Sequence, residues 1–222
     1  MTTRRAVLML VVALVAGGCR GSAELSTTTT IGAGSASPTE TVVELRQFLI
    51  DGDFASAAAL AVPGQAALAS LAEGASYAVV ADALENGDRD VAANFWSGFA
   101  QGVGEVFTGS LDVEDNGTVT QSGVEFHLVN VTPDSGEKAQ IAMRDVDGFR
   151  VDLFASFGAG LAGRLSPAVD LLLGSGTEEA TVVLSRLQDV VPSLLLAADD
   201  PALSAQAVQE VLALVERITR VG

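Results

Sequence analysis

The chain has 222 residues, 28 acidic against 12 basic for a formal charge of −16, and carries one Cys and one His. A net negative surface with no basic stripe repels phosphate, which excludes a nucleic-acid binder. One Cys excludes an internal disulfide, and one His excludes a zinc site built on two or more imidazoles.

Arg4 and Arg5 precede an apolar run from Ala6 to Ala16, the pattern of an export signal. The run is too short to span a bilayer, which takes about 20 apolar residues, and it ends in Gly17-Gly18-Cys19-Arg20. The segment Val15-Ala16-Gly17-Gly18-Cys19 resembles a bacterial lipobox, with Ala16 standing where Leu is commonest. That resemblance implies cleavage between Gly18 and Cys19 and transfer of a diacylglyceryl group to the Cys19 thiol. Two acyl chains hold a protein on a membrane where one does not, so the expected location is the extracytoplasmic face of the cell membrane. Thr3-Arg4-Arg5-Ala6-Val7-Leu8 also looks like a loose twin-arginine signal. With no cofactor motif downstream, the general secretory route is preferred. Without residues 1–18 the balance is ten basic against 28 acidic residues, or −18. Residues 21–37 are rich in Ser, Thr, Gly and Ala and cannot bury enough apolar surface to fold, so residues 19–37 read as a flexible tether.

The globular part is expected over residues 38–222. Ser37-Pro38-Thr39-Glu40 forms a capping box with Pro at the first helical position, followed by Val42, Leu45 and Leu49 at helical spacing and a stop at Gly52. Asp53 caps a second short helix that ends at Pro63-Gly64. Residues 65–103 stay helical in pattern, broken at Gly74 and Asn86-Gly87, and hold the aromatic cluster Phe95, Trp96 and Phe99. Spacing of three and four on a helix favours core packing for that cluster over ligand stacking.

At Gly104 the period changes to two. A strand over 107–113, a hairpin turn at Asn116-Gly117, and a strand with Val124, Phe126 and Leu128 on one face are expected. A turn at Pro133-Asp134-Ser135-Gly136 leads to Ala139, Ile141 and Met143 on one face. Asp147-Gly148 turns into the last strand, with Phe149, Val151 and Leu153. Beyond Phe154 the pattern is helical again. Residues 157–173 are Gly-rich and apolar, and Thr177-Glu178-Glu179 opens a helix with Val183, Leu184 and Leu187 that Pro192 kinks or ends. Asp200-Pro201 is expected to cap a final helix with Val208, Val211, Leu212, Val215 and Ile218 on its apolar face. The fold class is therefore α+β: N-terminal helices on a four-stranded antiparallel meander, then a C-terminal helical extension.

Several motifs suggest chemistry and are better explained by structure. Gly158, Gly160 and Gly163 match dinucleotide-binding spacing, with Glu178 twenty residues past the first Gly. However, Pro167 leaves a short helix, the preceding strand carries Arg150 and Asp152 and looks half-exposed, and no second parallel strand is present, so close backbone packing or a loop accounts for them. Asp112, Glu114, Asn116 and Gly117 resemble the first half of a calcium loop, but Gly123 stands where the bidentate Glu belongs. His127 is expected on an exposed strand face, with no Gly-x-Ser-x-Gly elbow to partner it. The pairs Asp51/Asp53, Glu178/Glu179 and Asp199/Asp200 fall at helix ends, where capping and the dipole explain them. No catalytic residue, metal ligand or cofactor site is assigned.

The Gly52–Ala58 segment Gly-Asp-Phe-Ala-Ser-Ala-Ala, set among helices before a meander that closes with Asp147-Gly148-Phe149-Arg150-Val151-Asp152-Leu153, resembles the nuclear transport factor 2-like, cystatin-like α+β roll. The resemblance covers residues 38–154. It implies a conical cavity between sheet and helices, used as a ligand pocket or as the acid-base site of isomerases and cyclases. The tail from 155 to 222 departs from that pattern, and the only Tyr, Tyr77, fits no Asp-Tyr catalytic pair. The expected function is a non-enzymatic, membrane-anchored domain that binds a small apolar ligand, in a pocket lined by residues such as Phe95, Trp96, Phe126 and Val151, or else an envelope partner. The rivals are an isomerase- or hydrolase-like enzyme, with a buried carboxylate near Tyr77 or His127, and a structural envelope protein without a pocket. Metabolic labelling with a radioactive fatty acid is expected to mark the polypeptide; an unlabelled chain recovered entirely in the culture supernatant would overturn the anchor.

Overall fold

The first helix begins where the capping box lies. Ser37 Oγ accepts the Glu40 N–H at 3.2 Å, Pro38 opens α1 (Pro38–Asp51), and Gly52 closes it in the left-handed conformation at φ 71°. The computed structural model describes residues 34–85, 89–102, 110–134 and 138–220. Asp53 caps α2 (Phe54–Ala59), accepting the Ser56 N–H at 3.3 Å. Then come α3 (Gln65–Ser70), a 3₁₀ turn (Leu71–Glu73) closed by Gly74 at φ 76°, α4 (Tyr77–Glu85) and α5 (Arg89–Gly102).

Four strands follow: β1 (Leu111–Gln121), β2 (Val124–Pro133), β3 (Ala139–Asp145) and β4 (Phe149–Val151). They form one antiparallel sheet in the order β1-β2-β3-β4, the expected meander. The chain then makes α6 (Leu153–Ser175), α7 (Glu178–Asp189), α8 (Val191–Ala198) and α9 (Ala205–Thr219). The fold is α+β, with helices before and after the sheet.

Three local expectations are corrected. The first hairpin turns at Ser122-Gly123, not at Asn116-Gly117. Gln121 pairs with Val124, and the two residues between them have φ of 51° and 82°, the positive values a two-residue primed turn requires. Asn116-Gly117 is instead a bulge inside β1, where the register slips between Asp115 and Thr118 and Asp115 Oδ1 accepts the Gly117 N–H at 2.8 Å. Both sites offer a glycine at positive φ, and hairpin register chose the one that continues the pairing. Second, Pro167 does not shorten its helix: α6 runs through it for 23 residues. Burial of Ala162, Leu165 and Val169 on either side offsets an interior-proline cost of about 3 kcal/mol. Third, the last helix is capped by Ser204, which accepts the Ala207 N–H at 3.2 Å, while Asp200 accepts from Ala202 in the preceding turn. Pro192 does divide its segment, opening α8 at a bend of 47° from α7. Asn86-Gly87, Gly104, the first part of the strand expected over 107–113, and Gly136 lie outside the described residues.

The inner strands of the sheet are covered on both faces, while β1 is largely exposed. Val129, Val131, Ile141, Met143 and Val151 pack with Val42, Leu45, Leu49, Ala57 and Trp96 from α1, α2 and α5 in the first core. Phe126 points to the opposite side and is also fully buried. On β2 the apolar residues therefore serve two faces, not the single face expected from Val124, Phe126 and Leu128. A second core joins Phe154, Ala162, Leu165 and Val169 of α6 to Leu187, Leu194, Leu214 and Ile218 of α7, α8 and α9.

The short β4 is protected along its open edge. Ser35 and Phe149 exchange backbone bonds at 3.2 and 3.0 Å, and Leu60 and Val62 bracket Val151 at 2.7 and 2.9 Å. Thr41, fully buried, donates its hydroxyl to Ser37 O at 2.9 Å and Phe149 O at 3.3 Å. Gly34, ahead of the capping box, already joins the sheet, its N–H donating to Asp147 O at 2.8 Å. There Gly34 and Gly148 meet backbone to backbone: a Cβ on Gly34 would lie 2.6 Å from both Gly148 C and Phe149 O. The far edge, β1, is discouraged from pairing by exposed Asp112, Glu114 and Asp115 and by its bulge. Gly34→Ala is expected to destabilise the protein by about 1–3 kcal/mol in urea unfolding; wild-type stability would show that this edge contact contributes nothing.

Candidate ligand groove

A groove opens between α5 and α6. α6 carries two stripes. Phe154, Gly158, Ala162, Leu165 and Val169 are buried toward the C-terminal helices, whereas Leu153, Phe157, Gly160, Leu161 and Arg164 turn toward α5. From the other side α5 presents Asn94, Phe95, Gly98 and Phe99, and Ala69 and Glu73 close one end from α3 and the 3₁₀ turn. The space between them is a cavity of about 610 Å³, within the range of small-molecule sites.

Its walls are aromatic. Phe95 and Phe99 are stacked at 6.3 Å and an interplanar angle of 18°, and Phe157 meets Phe99 edge-on at 4.9 Å across the gap. Trp96 sits behind them, fully buried, with its ring 5.1 Å from Phe95 and 5.2 Å from Phe99. Gly98 and Gly160 line its walls, both exposed, and a Cβ added to either would meet nothing within 4 Å. At the rim an exposed ion pair joins Arg164 to Glu73, 91 residues apart in sequence. Exposed pairs of this kind contribute about 0–1 kcal/mol.

The expected pocket residues separate. Phe95 lines the groove, whereas Trp96, Phe126 and Val151 are fully buried core residues. The space between sheet and N-terminal helices is occupied by side chains, so the opening lies beside the sheet, between helices. Sequence reasoning did not assign Phe157 or Gly160 to a site. The signal was present as an aromatic and a small residue three apart on the stripe about a third of a turn from the buried one, but the glycines of this helical segment read equally as close backbone packing or a loop. Close packing holds for Gly158, where a Cβ would touch Leu194 Cδ2 at 3.0 Å, and for Gly163, 3.2 Å from Glu210 Oε2.

Other candidate groups are elsewhere. His127 is half-buried, edge-on to Phe149 at 4.7 Å, with Nε2 3.6 Å from Glu125 Oε1. Tyr77 packs against the second core. Asp112, Glu114, Asn116 and Gly117 lie along the exposed bulged strand β1. Among the described residues, no group of three or more His, Cys, Asp or Glu is placed to hold a metal ion. Asp53 caps α2, and Glu178 and Glu179 occupy the first turn of α7 beneath its Thr177 cap. Gly18 and Cys19 lie outside the described residues. Among those that are described, no single helix is long and apolar enough to cross a membrane.

Arg150 and Asp152, expected to be half-exposed, are both buried. Arg150 donates Nε to Val146 O at 2.9 Å and Nη1 to Ala59 O. Asp152 caps α6: Oδ1 accepts from Phe154 N–H at 3.1 Å and Ala155 N–H at 2.9 Å, while Oδ2 accepts from the Ser193 hydroxyl at 2.8 Å. Burial raises its pKa above the ordinary carboxylate value, opposed by hydrogen bonds from Ala155, Gln65 and Ser193 and by the charge of Arg144. Its oxygens are turned into the cap and not toward the groove. Searched against protein-family models, curated proteins and solved structures, the chain matches none.

A raised native pKa means that the folded state holds this proton more tightly than the unfolded chain does. Asp152 therefore costs stability once ionised, and that cost grows as pH rises from the ordinary Asp value, about 4, through the raised one. Relative to Asp152→Asn, the wild type is expected to lose stability across that window and to run parallel to it outside. Asp152→Ala, which removes the cap and strands the Ser193 hydroxyl, is expected to cost about 2–4 kcal/mol at the acid end of that window and less above it, because the wild type alone loses stability as the carboxyl ionises. Parallel wild-type and Asn curves in urea melts from pH 4 to 8 would refute the first expectation.

Proposed function

We propose that this protein is a membrane-anchored, exported lipoprotein whose folded domain binds a small apolar ligand in the groove between α5 and α6, without catalysis. The observation that carries the reading is the groove itself: about 610 Å³ walled by Phe95, Phe99 and Phe157, with two exposed glycines in its walls. Left empty, such a surface exposes aromatic area whose burial is worth about 25 cal/mol per Å². Neither glycine has a left-handed backbone, so a larger residue there would suit the helix better by about 0.5–1 kcal/mol. Helix stability does not account for them; an open groove does.

The anchor rests on the Val15–Cys19 segment and on the Ser/Thr/Gly-rich stretch after it. A tether drawn from the residues ahead of the capping box would hold the domain near the outer face of the membrane, with an r.m.s. reach of about 20 Å. The α+β roll resemblance is proposed with it, supported by helices that lead into a four-stranded meander. An acid-base enzyme is the weaker reading. The carboxylate that lines the groove, Glu73, is exposed and paired with Arg164, while the buried Asp152 has its oxygens engaged in a helix cap.

The test uses the single tryptophan, Trp96, which lies directly behind Phe95 and Phe99. Titration of the full chain with octanol is expected to change its fluorescence saturably. Gly160→Leu is expected to abolish that response while melting no lower than wild type. A non-saturable response, or one that survives the filled groove, would overturn the proposal.

A further inference from the structure

Resting on the groove reading above, we propose that the ligand is a cationic amphiphile, its apolar part among the three phenylalanines and its positive group at Glu73 on the rim. The groove's own charges are one of each sign, Glu73 and Arg164, bound to each other. Any charged head must displace one of them, and the two exchanges are not equivalent in a chain of net charge −16.

A cation that takes Glu73 releases Arg164 into a negative field, where a freed guanidinium on a long, half-exposed stem is well tolerated. An anion that takes Arg164 leaves Glu73 as an uncompensated carboxylate beside it, inside the same field. The exchange with the cation costs little, and the exchange with the anion adds a like-charge repulsion at close range. The wall chemistry adds to this preference. Aromatic faces present negative charge to a head group above them, and Phe95 and Phe99 line the same groove as Glu73 and Arg164, so an ammonium held over those rings gains there while a carboxylate does not. The rim pair is also exposed on both sides and weakly held, so it does not bar entry.

The experiment titrates the full chain with three probes sharing one tail, octyltrimethylammonium, octanol and octanoate, at neutral pH, reading Trp96 fluorescence and confirming each affinity by calorimetry. The cationic probe is expected to bind tightest and octanoate weakest, with about a ten-fold span at low salt that narrows at about 1 M salt, where the screening length is about 3 Å. Glu73→Gln is expected to lower the ratio of cationic to neutral affinity about three-fold, and Arg164→Gln to leave the cationic probe in first place. Gly160→Leu, and independently Gly98→Leu on the opposite wall, are expected to abolish the response to all three probes. Octanol binding that both leucines block, combined with equal or reversed charge order, would overturn the cationic ligand and leave the groove standing. Failure of every probe would overturn both.

Discussion

The structure turns on what happens at Asp152. β4 is three residues long, and the chain must leave an antiparallel sheet and enter a 23-residue helix within one residue. Ending a strand there leaves the backbone of Ala142 on β3 without a partner, and starting a helix leaves the first N–H groups of α6 without acceptors. The Asp152 N–H takes Ala142 O at 2.9 Å, and the Ser156 hydroxyl, one turn on, bridges Ala142 N–H at 2.9 Å and its carbonyl at 3.2 Å. The Asp152 carboxylate takes the helix N–H groups, and Gln65 Oε1 from α3 accepts the Leu153 N–H at 2.6 Å. Ser193 of α8 completes the set. β3, α3, α6 and α8 thus meet at the Asp152–Leu153 junction, and the raised pKa of the Asp152 carboxyl is the cost of burying it there.

Because this junction aims α6, it also determines why a groove exists. A helix starting at Leu153 with Phe154 turned inward sets one stripe against α8 and α9 along its length, with Gly158 letting α8 approach to 3.0 Å of where a side chain would begin. The stripe about a third of a turn away faces α5, which is itself committed to the first core through Trp96. The main buried stripe of α6 belongs to the second core and Trp96 of α5 to the first, with Leu153, Phe157 and Phe95 at the seam between them. Phe99 and Phe157 touch across the gap and Glu73 and Arg164 span its rim, while Gly98 and Gly160 line its walls.

The elements were legible in the sequence where local chemistry alone decides them. Ser37, Gly52, Asp53, Thr177 and the Asp147-Gly148 turn act where their residue types place them. What could not be read depended on partners distant in sequence. Two glycine-containing dipeptides compete to be the first hairpin turn, and only the pairing of Gln121 with Val124 selects the second. Pro167 reads as a helix end in isolation and is overruled by packing against α9. Arg150 and Asp152 alternate as polar strand residues should, yet both are buried because the N-terminal segment and α8 cover the edge they occupy. For the groove, the aromatic cluster of α5 was visible but its division was not: Trp96 fills a core while Phe95 and Phe99 line an opening, a distinction created by where α6 lies.

The acidic composition and the groove can be understood together. A charge of −16 would be a liability for a protein recruiting anionic molecules. The same charge raises the local concentration of cations around the fold, and most strongly in a concave, low-dielectric cleft. The surface carries little to offset it: Arg164, Arg217 and Arg220 are each already paired with Glu73, Asp170 and Glu216. On the proposed reading the surface field adds to the local contact at Glu73, with repulsion of anions coming from the whole surface and hydrophobic attraction from the walls. Selectivity for the sign of a ligand's charge is then a property of composition and of Glu73 together, and selectivity for its apolar part a property of the spacing between α5 and α6.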